Sequence, residues 1–402
     1  MKSAGPQFPW LAFLWPAVAA ASASRFAWLA AREFAGIADR EPAAREPPPW
    51  TTRNKVALEL NSVCLRDFST ASGGVPTLIC APFALHGAMI ADFAPRHSLV
   101  ATFLDAGLRR VFVTDWRSAN PQMRFFSIDN YLADLNVIVD HLGGTADLIG
   151  LCQGGWLALI YAARFPQKVR KLVLAGSPID IAAGESALSR LAQDTPLTVF
   201  KDLVARGEGR VPGRQLLACW DEETLERDTI AQLLQVPVTA PNFRRLEARF
   251  REWYAWTLDL PGTYYLEVVE RLFKDNQLAA GKFVALGRKI DLASVCAPMY
   301  LLAAQHDNVV AAAQVFATEH LTSSPARELR QVTVPTRHLG LFLGRAVLAE
   351  QWSRVARWLR SPQRLGGARP SSSHRALAAS RSSSVGHTVG GKRAPPRSGS
   401  GS

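Results

Sequence analysis

The residues best suited to chemistry stand in one turn, Gly150-Leu151-Cys152-Gln153-Gly154-Gly155. A cysteine with glycine two places before it and two places after, between an apolar run and a helical one, has the layout of a nucleophile elbow. The bend is sharp, so the flanking positions must be small, and Gly150, Gly154 and Gly155 meet that need. The turn puts Cys152 at a helix N-terminus, where the dipole favours a thiolate. The backbone N–H of Gln153 is then one oxyanion donor. A second is expected from the loop near Phe83 or Ala84. The bland alternative is an inert thiol, because cysteine is among the most buried residue types. Cys64, Cys80, Cys219 and Cys296 lack the glycine setting and read as core or surface.

A nucleophile of this kind needs a base, and an acid and then a histidine should follow it in chain order. Asp307, in Gln305-His306-Asp307-Asn308, comes just after an apolar strand; His338, in Thr336-Arg337-His338-Leu339-Gly340, comes just after the last one. Those are the loop positions where acid and base belong. An Asp that opens a helix is often only an N-cap, and a loop histidine is often only a surface group. The other histidines after Asp307 are His320, on a predicted helix, and His374 and His387, in the tail. His306 reads as a loop residue without a role.

The elements that must hold these groups alternate. Lys55 to Leu60 and Val63 to Phe68 read as an antiparallel pair. Thr77 to Ala81, Arg110 to Thr114, Asp147 to Gly150, Lys171 to Ala175, Met299 to Ala303 and Leu329 to Val334 read as further strands. Helical spacing runs through Asp129 to Leu142 and Trp156 to Phe165. Strands alternating with helices predict an α/β fold of the α/β-hydrolase type, with a mostly parallel sheet flanked by helices. Between Ile181 and Val295 no clear strand occurs, too long a stretch for an ordinary connection. It is rich in Arg, Glu, Leu and Trp and reads as an inserted helical cap. The expected layout is an N-terminal helical segment (1–50), core (51–181), cap (182–295), core again (296–361) and a disordered basic tail (362–402).

Composition narrows the classes. With 402 residues, 48% of them hydrophobic, the chain can bury a large core. The net charge is +12, but seven Lys or Arg and no acid lie after Ser361, so the basicity belongs largely to the tail. It is no nucleic-acid footprint of the folded part, and no zinc-like Cys/His spacing is present. Five scattered cysteines argue against a disulfide framework and for a reducing cytoplasm. The apolar run from Trp10 to Ala21 looks somewhat like a secretory signal. Its positive region is only Lys2, Pro16 interrupts it, and the pattern continues through Phe26, Leu29 and Phe34. A helix packed on the core or lying on an apolar surface is the expected reading, and the run is too short to span a membrane.

Taken together, these motifs resemble the polyhydroxyalkanoate synthase family. Asp92-Phe93-Ala94-Pro95 with Ser98-Leu99-Val100, Val111-Phe112-Val113-Thr114-Asp115-Trp116-Arg117, and Ile128-Asp129-Asn130-Tyr131-Leu132 are similar to family segments. So are Trp256, Asp259-Leu260-Pro261-Gly262, Tyr265, Leu272-Phe273, Asn276, Leu278, Gly281 and Gly287-Arg288-Lys289-Ile290-Asp291-Leu292, in the same order. The likeness runs from about Thr51 to Leu359. Gly-Leu-Cys-Gln-Gly-Gly is most like the short synthases that work with a second subunit. Two places depart from the pattern. Trp156 stands where the family carries a small polar residue, and Asn308-Val309-Val310-Ala311 replaces its His-x-x-Pro-Trp continuation.

The resemblance implies that His338 deprotonates Cys152, which takes a 3-hydroxyacyl group from coenzyme A as a thioester. It implies that Asp307 helps activate the 3-hydroxyl of the next unit. No cofactor is expected beyond the coenzyme A thioester, which is a substrate. The implied partners are 3-hydroxyacyl-CoA, the surface of a polyester granule, and a second copy or second synthase subunit, in the cytoplasm or on granules. Two other readings stay open. Intracellular polyhydroxyalkanoate depolymerases share the Cys-Asp-His set and a similar Val-Thr-Asp-Trp segment, which makes a hydrolase or thioesterase the first rival. A non-catalytic granule-binding protein is the second.

Overall fold

The computed structural model describes residues 47–217 and 222–362. The apolar N-terminal run, Cys219 and the basic tail fall outside these residues. The central sheet has eight strands, numbered here without the short outlying ladders: β1 (Lys55–Glu59), β2 (Val63–Asp67), β3 (Thr77–Cys80), β4 (Val111–Trp116), β5 (Ala146–Leu151), β6 (Val169–Ala175), β7 (Met299–Ala304) and β8 (Leu329–Val334). Their order is β1-β2-β4-β3-β5-β6-β7-β8. The β1–β2 and β2–β4 pairs are antiparallel and all others are parallel. Every expected strand is present, within two residues at its ends.

The inner strands are apolar on both faces because helices cover both. All residues of β5 and β7 are buried, as a parallel sheet between two layers requires. Of the helices, α1 (Leu99–Asp105) starts at Ser98, whose hydroxyl accepts the Ala101 N–H at 2.8 Å. The second, α2 (Ile128–His141), buries Tyr131, Leu132, Leu135, Ile138 and Val139 on one stripe. The third, α3 (Gln153–Arg164), is buried from Gln153 to Ala163. Such an all-round apolar helix belongs in the middle of the molecule, and it runs against β5 and β6 directly after the Cys152 turn.

Between β6 and β7 the chain leaves the main sheet. It forms helices Ala187–Asp194, Leu197–Arg206, Arg227–Leu234, Phe243–Ala255 and Gly262–Glu267, among shorter turns. Two ladders of two residues per strand also occur there, Arg210–Val211 with Leu260–Pro261 and Val284–Ala285 with Arg288–Lys289. Pairs this short carry no alternating run, so sequence periodicity does not mark them. Buried Asp92 fastens one edge of the core by accepting hydrogen bonds from the Thr51 and Thr52 amides and the Thr52 and Ser98 hydroxyls. Arg249 of the insertion donates to Phe93 O and, at 2.6 Å, to Pro49 O at the same place.

Candidate active site

Cys152 links the end of β5 to the start of α3, with φ 49° and ψ −120°. An L residue rarely takes such angles without support from its surroundings. The support is glycine packing. A Cβ on Gly150 would stand 2.3 Å from Gly155 Cα, and one on Gly154 would stand 2.2 Å from Cys80 O. One on Gly155 would meet Ser177 Oγ at 1.8 Å. The expected need for small residues therefore has three separate steric causes. The Cys152 N–H donates to Ala175 O at 2.8 Å, which pins the turn to β6. Cys152 itself is half-buried, whereas Cys80 is buried and Cys296 exposed.

His338 and Asp307 meet at the same end of the sheet. His338 Nδ1 lies 2.7 Å from Asp307 Oδ2, and the two side chains are 7% and 2% exposed. The other Asp307 oxygen accepts the Val309 and Val310 amides, each at 2.9 Å. Asp307 is no helix N-cap, since the next helix begins at Ala312 with Ala311 as its N-cap; one of its oxygens closes the local turn and the other meets His338. The His338 ring also hydrogen-bonds Cys152. Burial disfavours a charged imidazole here, but the Asp307 and Cys152 charges and hydrogen bonds outweigh it and hold the His338 pKa well above the ordinary value of 6.5. The arrangement can take a proton from the sulfur and return it to a leaving group. His306 is an exposed loop residue beside this set, as expected.

The loop after β3 carries the other expected site residues. Phe83 is buried, and its ring packs against Trp116, Tyr131 and Tyr264. Ala84 follows it, half-buried. Cys80 O and Ala81 O lie against Gly154, so this loop leaves the sheet beside the Cys152 turn. Gln153 is buried, and its side-chain oxygen accepts the Trp156 indole N–H at 2.6 Å. Trp156, the departure seen in the sequence, is completely buried and fills space beside Tyr264. Sequence reasoning misses Tyr264 and Ser177, and it finds Trp116 only as part of a family segment, without its contact to the loop; each acts through a partner distant in the chain. Among the described residues no cluster of three His, Cys, Asp or Glu could hold a metal ion, and no helix is long and apolar enough to cross a membrane.

The strand order, the strained turn after β5 and the acid and histidine after β7 and β8 define an α/β-hydrolase-fold protein. The solved structures agree on the fold. A monoacylglycerol lipase from Paleococcus ferrophilus matches with a TM-score of 0.50 at 16% identity, over 74% of this chain and 98% of its own. BpoC from Mycobacterium tuberculosis matches with a TM-score of 0.50 at 16% identity, over 76% and 99%. Within that fold, the chain belongs to the family described as protein of unknown function (DUF3141), whose model matches residues 60–355. Its sequence is also similar to curated proteins named poly(3-hydroxyalkanoate) polymerase subunit PhaC. The one from Allochromatium vinosum is 26% identical over 282 residues, 67% of this chain and 76% of that protein. The one from a Synechocystis species is 28% identical over 303 residues, 72% and 78%. The one from Haloferax mediterranei is 24% identical over 361 residues, 85% and 72%.

Proposed function

We propose that this protein is a polyhydroxyalkanoate synthase-like acyltransferase that carries a 3-hydroxyacyl group on Cys152. The observation that carries the reading is a cysteine at φ 49° hydrogen-bonded to a histidine that is itself held by a buried carboxylate. The similarity to PhaC polymerase subunits supports the choice of acyl donor.

In the proposed reaction Cys152 has given its proton to His338, and the thiolate attacks the thioester carbonyl. The carbon–sulfur bond to coenzyme A then breaks, and the leaving thiolate takes the proton from His338. The 3-hydroxyl of the next unit or of the growing chain next gives its proton to His338 and attacks the enzyme thioester. An ester bond forms and Cys152 leaves as thiolate. Sulfur suits both halves, because exchange between thioesters is nearly balanced and keeps the acyl group activated. Asp307 is assigned to act through His338 and not on the hydroxyl directly, because both its oxygens are occupied and its side chain is only 2% exposed. The Gln153 and Ala84 amides are the proposed oxyanion donors. The helical insertion is proposed to act as a cap that shields the thioester from water. A second subunit or a second copy and a granule surface are its proposed partners.

The test is incubation of the purified protein with 3-hydroxybutyryl-CoA, following free thiol, insoluble polyester and the mass of the Cys152 peptide. Polyester formation with a 3-hydroxybutyryl adduct on Cys152 supports the transferase. Free 3-hydroxybutyrate without polymer would make the protein a hydrolase instead. No turnover, with unchanged granule content in cells carrying Cys152→Ala, would leave a granule-binding role.

A further inference from the structure

The loop that follows β3 is held by its carbonyl groups at alternate residues. Ala81 O accepts the Trp116 indole N–H at 2.8 Å, Phe83 O accepts the Tyr264 hydroxyl at 3.1 Å, and Leu85 O accepts the Leu258 amide at 2.8 Å. A trans peptide is planar, with its N–H opposite its C=O. Tying Phe83 O to Tyr264 therefore turns the Ala84 N–H to the other side of the strand of chain. That N–H meets no acceptor among the described residues. The matching amide one step earlier belongs to Pro82 and has no hydrogen. The loop starts against Gly154, next to the nucleophile.

Two of these three ties, those from Leu258 and Tyr264, come from the insertion between β6 and β7. Tyr264 is 3% exposed and wedged against Phe83 and Tyr131, with ring centroids at 5.2 and 4.8 Å. Its hydroxyl cannot leave Phe83 O without disturbing that packing.

We propose that Tyr264 is a positioning residue for acyl transfer: its hydroxyl fixes the Phe83–Ala84 peptide so that the Ala84 N–H serves as the second oxyanion donor over Cys152. The insertion then completes the site as well as covering it. This inference rests on the acyl-transfer reading above. Tyr131 supplies an internal control, because its hydroxyl lies in the same aromatic cluster, buried and without a hydrogen-bond partner.

The experiment compares wild type, Tyr264→Phe and Tyr131→Phe in three reactions of Cys152. These are acylation by 3-hydroxybutyryl-CoA, acylation by p-nitrophenyl acetate, and alkylation by iodoacetamide, which develops no oxyanion. Removing a direct donor costs about 10²–10³-fold in rate, so loosening one should cost about 10- to 100-fold. Tyr264→Phe is expected to slow both acylations by that factor, with KM within about twofold and alkylation unchanged. Tyr131→Phe is expected to match wild type in all three. Unchanged acylation in Tyr264→Phe, an equal fall in alkylation, or the same loss in Tyr131→Phe would overturn the assignment. A wild-type protein acylated by the ester but not by the coenzyme A thioester would sink the substrate reading alone, and the Tyr264→Phe effect on the ester would still decide this one. A wild type inert to both acyl donors would overturn both.

Discussion

His338 Nδ1 lies 2.7 Å from Asp307 Oδ2, while the second oxygen of the same carboxylate is taken up by the amides of Val309 and Val310. One buried carboxylate therefore orients the imidazole and closes its own turn. The imidazole cannot rotate away without leaving a charge unpaired in the interior, and such a loss costs several kcal/mol, about 3–5 where a buried pair is broken.

This pair gives stability a definite dependence on pH. The native His338 pKa is raised, so the folded state favours the imidazolium. Its contribution is complete below the unfolded histidine value of about 6.5 and is lost as pH rises through the native value. The stability gap between wild type and His338→Gln, measured by urea unfolding, is expected to narrow as pH rises above the unfolded histidine value of about 6.5. A gap that stays constant or widens over that range would contradict the charge assignment.

Cys152 holds a backbone conformation that suits glycine better than cysteine. Strain of this kind costs about 1–3 kcal/mol, against which glycine loses about 0.5–1 kcal/mol through its freer unfolded chain. Cys152→Gly should therefore abolish all Cys152 chemistry and yet unfold at higher denaturant, by about 1 kcal/mol. Lower stability in this variant would mean that the turn is not strained.

The glycines of the turn should differ in whether they can be rescued. Gly155→Ala collides with the Ser177 side chain, so adding Ser177→Gly is expected to restore most of the loss, typically about 1–3 kcal/mol for overpacking. Gly154→Ala collides with the Cys80 carbonyl, which is backbone, and no side-chain change should restore it. Thermal melts of the single and double variants decide the matter, and equal rescue at both positions would refute the packing account.

The thiols should sort by environment. Burial pushes the Cys80 pKa up to about 12, against a partial opposing hydrogen bond with Thr114, so it offers almost no thiolate at neutral pH. In the native protein, limited iodoacetamide treatment and peptide mapping should find Cys152 modified first and Cys80 not at all until denaturant is added. Early labelling of Cys80 would show that the sheet opens on the time scale of the reaction.

Much of this architecture is readable along the chain because its signals are local. Gly150, Cys152, Gly154 and Gly155 fall within six residues, and steric need, chain direction and helix start all act over that distance. Inner strands such as β6 and β7 hold contiguous apolar runs, Leu172 to Ala175 and Met299 to Ala304, so their positions follow from side-chain burial. Asp307 and His338 are found because each follows its strand directly. The structure alone decides what those groups touch. The Phe83 carbonyl meets a hydroxyl 181 residues away, Gly155 meets Ser177, and Trp156 closes on Gln153 beside Tyr264. Such contacts arise when elements remote in sequence pack at interior density, and no periodicity or spacing in one segment records which distant side chain will fill the space beside it.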